Sequence, residues 1–251
     1  MKFRIWSIFF VMMLLGCQTI DYDAMKEAIK EELEVELKAE IAAHYEAVEV
    51  FGIEEFNVHV SEVATNIQTC TVGIEVFFTS GNPTTGSGVI YKQEGNSYYL
   101  LTNEHVIRYH QSIEVYVLDL EEPIIAEVIK TSTQSDLALL KIETNLDIVP
   151  CVIKEVEYTV GNIVFAVGSM VDIAYRHSVT IGIISAISDH RIQHDAAINV
   201  GSSGGPLFNL YGEFIGLNVS KISTTSATGT ITPVVGVGFA IPLETIIDFI
   251  T

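Results

Sequence analysis

Positive charge is the scarcest resource in this sequence. Thirteen lysines and arginines face 32 aspartates and glutamates, a formal net charge of -19 over 251 residues. That balance excludes a generic nucleic-acid binder, which needs a basic face. It also disfavours acidic substrates through long-range repulsion. Cysteine is scarce as well. Cys17, Cys70 and Cys151 are the only three, and their spacing matches no zinc or redox motif. The apolar run Ile5–Leu15 is shorter than the roughly 20 residues needed to cross a bilayer. Glycine and proline are missing from Asp21 to Val50. No histidine follows Ser203, an absence that separates two catalytic readings below.

What is present is enough to fill a core. Hydrophobic residues make up 49% and charged residues 18%, within the range of globular chains. The length allows one large domain or two small ones. After residue 60, valine, isoleucine, threonine and glycine dominate, which favours β-structure. The charge is uneven: Asp21–Glu62 holds thirteen acids and three bases, and the much longer remainder from Val63 holds nineteen and eight.

The start reads as an export signal. Lys2 and Arg4 precede the apolar run, whose length suits a signal-peptide core. It ends in Leu14-Leu15-Gly16-Cys17, which resembles a bacterial lipoprotein signal. That resemblance implies cleavage of residues 1–16 and a diacylglycerol thioether on Cys17, since only a thiolate is nucleophilic enough to accept the lipid. Two or more acyl chains, each methylene worth about 0.8 kcal/mol, anchor stably. The expected location is outside the cytoplasm, on the cell surface or the periplasmic face of a bacterial membrane. An ordinary signal followed by a chance cysteine is the alternative. Cys70 and Cys151 are either one disulfide of an exported protein or two buried thiols.

Residues 17–60 read as an acidic helical spacer. Glu, Ala, Lys and Leu are good helix formers, and Met25, Ile29, Leu33, Leu37, Ile41 and Tyr45 recur every four residues. A step of four drifts about 40° per repeat, so the stripe curves and makes a poor coiled-coil seam. A self-association helix, making the protein a homo-oligomer, is the competing reading of the same stripe.

From about Asn66 the pattern changes to short apolar strands separated by turns. Two sets of about six strands suggest two barrels, over about 66–146 and 150–245. The expected fold is mostly β, a double six-stranded β-barrel preceded by an N-terminal α-helix. Three motifs sit on this scaffold. In Asn199-Val200-Gly201-Ser202-Ser203-Gly204-Gly205-Pro206-Leu207 a serine occupies a glycine-rich turn. There the N–H groups of Gly201 and Ser203 can converge as an oxyanion hole. In Tyr98-Tyr99-Leu100-Leu101-Thr102-Asn103-Glu104-His105-Val106 a strand ends in a polar turn carrying a histidine, a candidate general base. In Ser135-Asp136-Leu137-Ala138-Leu139-Leu140-Lys141 an aspartate heads an apolar strand and can orient that base.

Each motif alone has a plain reading: a flexible turn, a structural histidine, a strand-start aspartate. Their order decides. His, Asp, Ser is the chymotrypsin order. The segment around Ser203 also fits the G-x-S-x-G elbow of α/β-hydrolases, but there the histidine follows the serine, and none does here.

The stretch from about Val72 to Pro242 resembles the protease domain of the HtrA/DegP family of trypsin-like serine proteases. Further segments that carry the resemblance are Gly86-Ser87-Gly88-Val89-Ile90, Gly182-Ile183-Ile184-Ser185, Asp195-Ala196-Ala197-Ile198-Asn199 and Gly236-Val237-Gly238-Phe239-Ala240-Ile241-Pro242. The resemblance implies a chymotrypsin-like double barrel, a His105–Asp136–Ser203 triad in the cleft between barrels, protein or peptide substrates, and no metal or organic cofactor. Ser202 stands where the family usually has Asn, and the chain stops at Thr251, where a PDZ domain usually follows. Regulation through such a module is therefore not expected. By offset from Ser203, Ala197 and Ile198 would floor an apolar specificity pocket. Leu217-Asn218-Val219-Ser220 would pair with an extended substrate, giving Asn218, Val219 and Ser220 as substrate-binding candidates. The competing function is a non-catalytic surface lipoprotein that uses the same fold as a binding module.

Overall fold

The computed structural model describes residues 52–118, 120, 122–219, 223–225, 231–233 and 236–251, and nine positions between 26 and 38. The signal region, Cys17 and Ser220 lie outside the described residues. The chain divides into two compact units, 1–54 and 55–251. In the first, the described positions are helical, and Leu33 and Leu37 of the apolar stripe are exposed.

The second unit opens with helix α1 (Ile53–Gln68). This helix runs through position 60, where the sequence reading set a boundary. The physical reason is that its last turns carry Val63 and Ile67, both buried in the main hydrophobic core of the second unit. An antiparallel set follows: β1 (Thr71–Phe77), β2 (Thr84–Glu94), β3 (Ser97–Thr102), the one-turn helix α2 (Glu104–Ile107), β4 (Ser112–Tyr116), β5 (Ile124–Ile125), β6 (Glu127–Ser132) and β7 (Leu137–Glu143). These strands form one open seven-stranded sheet ordered β5-β4-β1-β2-β3-β7-β6. The remainder holds β8 (Ile163–Gly168), β9 (Ser178–Ser188), β10 (Arg191–His194), β11 (Pro206–Asn209), β12 (Phe214–Val219), β13 (Ser223–Thr225), β14 (Ile231–Pro233), β15 (Gly238–Pro242) and helix α3 (Leu243–Ile250). Six of its strands close a barrel, β10-β15-β12-β11-β8-β9. The architecture is chymotrypsin-like, with one half closed and the other open.

Strand periodicity assigns each side chain to a core. Successive residues on a strand face opposite ways. On β7, Ala138, Leu140 and Ile142 point into the first sheet's own core, while Leu137 and Leu139 point into a central core shared with the barrel. On β8, Val164 and Ala166 fill the barrel, while Phe165 and Val167 face that same central core. Such strands are buried on both faces and read as unbroken apolar runs. The central core also takes in Ile246 and Phe249 of α3. Lys130 on β6 donates its ammonium to the Phe249 carbonyl in the last turn of that helix, where a cation offsets the unpaired carbonyls.

Cys70 and Cys151 are joined as a disulfide, with Cα atoms 5.5 Å apart. Both flank one residue of β2: the Ile90 N–H donates to the Cys70 carbonyl and the Cys151 N–H to the Ile90 carbonyl, each at 2.8 Å. The bond closes a separation of 81 residues, for which loop entropy gives a stabilisation of about 4 kcal/mol.

One ionisable side chain lies wholly inside the barrel. His194 is fully buried, and neither ring nitrogen has a hydrogen-bond partner. Its ring covers Gly238 on β15, where an added Cβ would come within 2.5 Å of it. Burial pushes its pKa down to about 4, and the nearby Asn218 side chain, Asp195 and the Ala196 backbone only partly oppose this. The unfolded chain protonates near 6.5, so between pH 6.5 and 4 it binds a proton that the native state refuses. Stability therefore falls as pH drops through that window, by about 3 kcal/mol in all. Urea titrations of wild type and His194→Phe at pH 7, 5.5 and 4.5 check this: the variant is expected to lose much less stability on acidification. Equal acid losses in the two proteins would show that other groups set the dependence.

Candidate active site

β3 runs into the short helix α2, and the residue that starts this helix is backed by the β6–β7 turn. Asp136, heading β7, is the common acceptor there. Its carbonyl accepts from the Asn103 side-chain amide at 3.0 Å and from the Glu104 N–H at 3.2 Å. Its carboxylate accepts from the His105 N–H at 3.0 Å. One aspartate thus caps α2, in place of the Asn103 side chain, which makes no capping bond. The backbone of Asp136 is left-handed, φ 56°, a region that aspartate tolerates better than most residues.

The same carboxylate holds the His105 ring. Nδ1 lies 2.8 Å from Oδ2 and 3.0 Å from Oδ1. Burial pushes the Asp136 carboxyl up, but hydrogen bonds from the His105 ring and N–H, with the charges of His105 and Arg191, outweigh it and hold the group below the usual aspartate range. An ionised carboxylate only accepts, so Nδ1 carries the proton and the lone pair sits on Nε2. Next to it, Arg108 forms a two-pronged ion pair with the largely buried Glu104. Among the described residues, no cluster of His, Cys, Asp or Glu could hold a metal ion.

The turn before β11 carries Ser203, which is 4% exposed. Gly201 and Gly204 both have positive φ, 94° and 82°. Any side chain would fail there for space as well: a Cβ on Gly201 would lie 1.9 Å from the Ser169 carbonyl, and one on Gly204 within 2.3 Å of Thr102 Oγ1 and the Ser87 carbonyl. The latter contact brings the residue after Ser203 against the end of β3, with the Asn103 nitrogen also close. His105, Asp136 and the Ser203 turn are thereby gathered at the junction of the two halves.

The other sequence candidates fall as follows. Ile198 is buried and Ala197 exposed, the latter's carbonyl accepting from Thr180 Oγ1 at 2.8 Å. Val219 is half-buried at the end of β12. Asn218 is fully buried, and its backbone is already committed: its N–H donates to Gly205 at 2.8 Å and its carbonyl accepts from Gly204 at 2.9 Å. Its side chain donates to the Pro206 carbonyl at 2.9 Å. Asn218 therefore braces the Ser203 turn, and its backbone is not open to an incoming strand. Ser87, fully buried in β2, was assigned no role from sequence, yet its N–H, Oγ and carbonyl all bond at this junction. The flanking Gly86 and Gly88 were the only sequence sign of so close an approach.

Comparison with known proteins agrees with this geometry. The chain is 38% identical over 180 residues to the Serine protease Do-like HtrA of Lactococcus lactis, covering 66% of this chain and 43% of that one. It is 41% identical over 172 residues to a probable periplasmic serine endoprotease DegP-like of Hahella chejuensis, covering 65% and 34%. The chain thus spans less than half the length of these relatives. The crystal structure of a serine endoprotease from Yersinia pestis superposes with a TM-score of 0.61 at 33% identity, covering 74% of this chain and 64% of that one. The family model for the trypsin-like peptidase domain matches residues 86–217. That match runs from the glycine before Ser87 to the strand behind the Ser203 turn and takes in His105, Asp136 and Ser203, so this chain belongs to the trypsin-like peptidase domain family.

Proposed function

We propose that this protein is a serine endopeptidase in which Ser203 attacks a peptide carbonyl, His105 takes its proton and Asp136 orients His105. The observation that carries the proposal is the pair of contacts at 2.8 and 3.0 Å between His105 Nδ1 and the Asp136 carboxylate. It fixes the tautomer a general base needs, with Nε2 free of its proton. Once His105 is protonated, the ionised Asp136 stabilises the imidazolium. The N–H groups of Gly201 and Ser203 serve as the oxyanion hole for the tetrahedral intermediate. The imidazolium then protonates the leaving amine, and water releases the acyl group with His105 again as base. A fluorophosphonate probe is expected to label wild type and not Ser203→Ala. Turnover should drop by up to roughly 10⁶ in Ser203→Ala or His105→Ala and nearer 10⁴ in Asp136→Ala. Full activity without His105 would remove the triad from consideration.

Substrate choice follows from the pocket candidates. Ala197 and Ile198 offer no partner for a buried cation, and an unpaired buried charge costs several kcal/mol. Small and medium aliphatic side chains are preferred instead, each methylene contributing about 1 kcal/mol or more of discrimination. Peptide-library profiling should find cleavage after Val, Ala, Ile or Leu. Dominant cleavage after Arg, Lys, Asp or Glu would mean that the pocket is built from other residues.

Export and anchoring complete the proposal. Relatives described as periplasmic support a location outside the cytoplasm, and Leu14-Leu15-Gly16-Cys17 supports a lipid on Cys17, giving the enzyme a membrane partner. Cells fed a clickable fatty acid should label wild type but not Cys17→Ser, which should also leave the membrane fraction. Lipid incorporation into Cys17→Ser would refute the anchor.

A further inference from the structure

Four consecutive carbonyls in the nucleophile turn are each met by a donor. Val200 O accepts from the Val171 N–H at 2.7 Å, Ser202 O from the Gly205 N–H at 3.1 Å and Ser203 O from the Ser87 N–H at 2.8 Å. Gly201 O accepts from the Ser87 hydroxyl at 2.7 Å. In a trans peptide the carbonyl and the following N–H point in opposite directions, so anchoring a carbonyl aims the next amide. The pins on Val200 O and Ser202 O aim the N–H groups of Gly201 and Ser203. The two pins from Ser87 hold the peptide planes that follow each of these amides. Ser202 N–H and Gly204 N–H, on those two planes, are directed away to Asn199 O and Asn218 O, each at 2.9 Å.

Three of the four pins are backbone groups. The fourth is the Ser87 hydroxyl, and its single proton is assigned. The Ser169 N–H donates to the same oxygen at 2.8 Å, so the hydroxyl proton goes to Gly201 O. Ser87 lies in β2 of the open sheet, while Ser169 directly follows β8 and Gly201 lies in the turn before β11, both strands of the closed barrel. The Ser87 carbonyl accepts from Thr102 Oγ1 at 2.7 Å, three residues before His105. Ser87 is wholly buried, so water has no direct route to replace its hydroxyl.

We propose that Ser87 is a positioning residue for the oxyanion hole: its hydroxyl fixes the peptide after Gly201 and couples the hole to β3, the strand that runs into the helix carrying His105. This inference rests on the reading of Ser203 as nucleophile and of Gly201 and Ser203 as oxyanion donors. Loss of the hydroxyl leaves Gly201 O and Ser169 N–H buried without this partner, and the Gly201 plane can rotate. Positive φ at Gly201 makes rotation there sterically cheap.

The test uses purified full-length chain and an aliphatic peptide substrate. Ser87→Ala is expected to lower kcat by about ten- to a hundredfold, short of the 10²–10³ for deleting an oxyanion donor itself, with KM changed less than about twofold. Affinity for a peptide aldehyde, whose hemiacetal places an oxyanion in the hole, should fall by the same factor as kcat. Val63→Ala, which opens the core far from the turn, serves as a destabilised control and should keep wild-type kcat. Ser87→Thr, which restores a hydroxyl, should recover most of the loss. If Ser87→Ala does not fold, Ser87→Cys, with only a weak donor, has to show the same loss. Wild-type kcat and aldehyde affinity in folded Ser87→Ala or Ser87→Cys would overturn this inference alone. Wild-type turnover independent of Ser203 would overturn the nucleophile reading and this inference together.

Discussion

A buried turn has to satisfy every carbonyl and amide it carries, because water cannot do so. The turn around Ser203 meets that constraint for the carbonyls of Val200 to Ser203 by borrowing partners from both halves of the molecule. Ser87 comes from the open sheet, and Asn218, Gly205 and Val171 come from the barrel side. The rest of the architecture follows from this requirement. β2 has to approach the turn at backbone distance, and β12 has to back it. Neither half could supply all the donors, so the turn belongs at the seam between them. The glycines on either side of Ser202 and Ser203 are where such proximity leaves no room for a side chain.

The seam is also where the hydrophobic driving force is concentrated. Val89, Leu101 and Leu137 from the open sheet meet Phe165, Val167, Leu217 and Ile241 from the barrel in one central core. Burying a side chain of this size contributes on the order of 1.5–3 kcal/mol, and each sits on a strand whose neighbouring residues fill a different core. Close packing of that layer leaves the two halves little freedom to shift against each other. The disulfide reinforces it at the rim, joining the end of α1 to the connection between halves.

Much of this was legible in the sequence, and the gaps have physical causes. Apolar runs such as Leu137–Leu140 announce strands buried on both sides, and the family resemblance is borne out by the trypsin-like peptidase domain match over residues 86–217. Helix α1 continues past residue 60 to Gln68, which helix propensity does not reveal because it does not distinguish a solvated turn from one whose Val63 and Ile67 are buried. Cys70 and Cys151 could not be paired from spacing, since pairing depends on the β2 backbone that separates them in space. Asn218 was read as a substrate contact because a strand near a nucleophile has two edges and sequence does not say which is occupied. Ser87 left no chemical mark: a serine between two glycines looks like any flexible turn until its three polar groups are followed to their partners.

Asp136 shows why some positions are chemically unambiguous nonetheless. The site asks for an acceptor that bonds both a ring nitrogen and a backbone N–H of His105. The backbone there asks for a residue that tolerates a φ of 56°. Asparagine meets the second demand, but its amide presents a donor as well as an acceptor and would allow the wrong histidine tautomer. Glutamate carries the charge, but its extra methylene would displace the carboxylate from a backbone held by Asn103 and Glu104. Aspartate alone among the acidic and amide side chains meets the conformational and the electrostatic condition at once. The capping of α2 and the orientation of the His105 ring are therefore a single piece of geometry, and a change at this position disturbs both together.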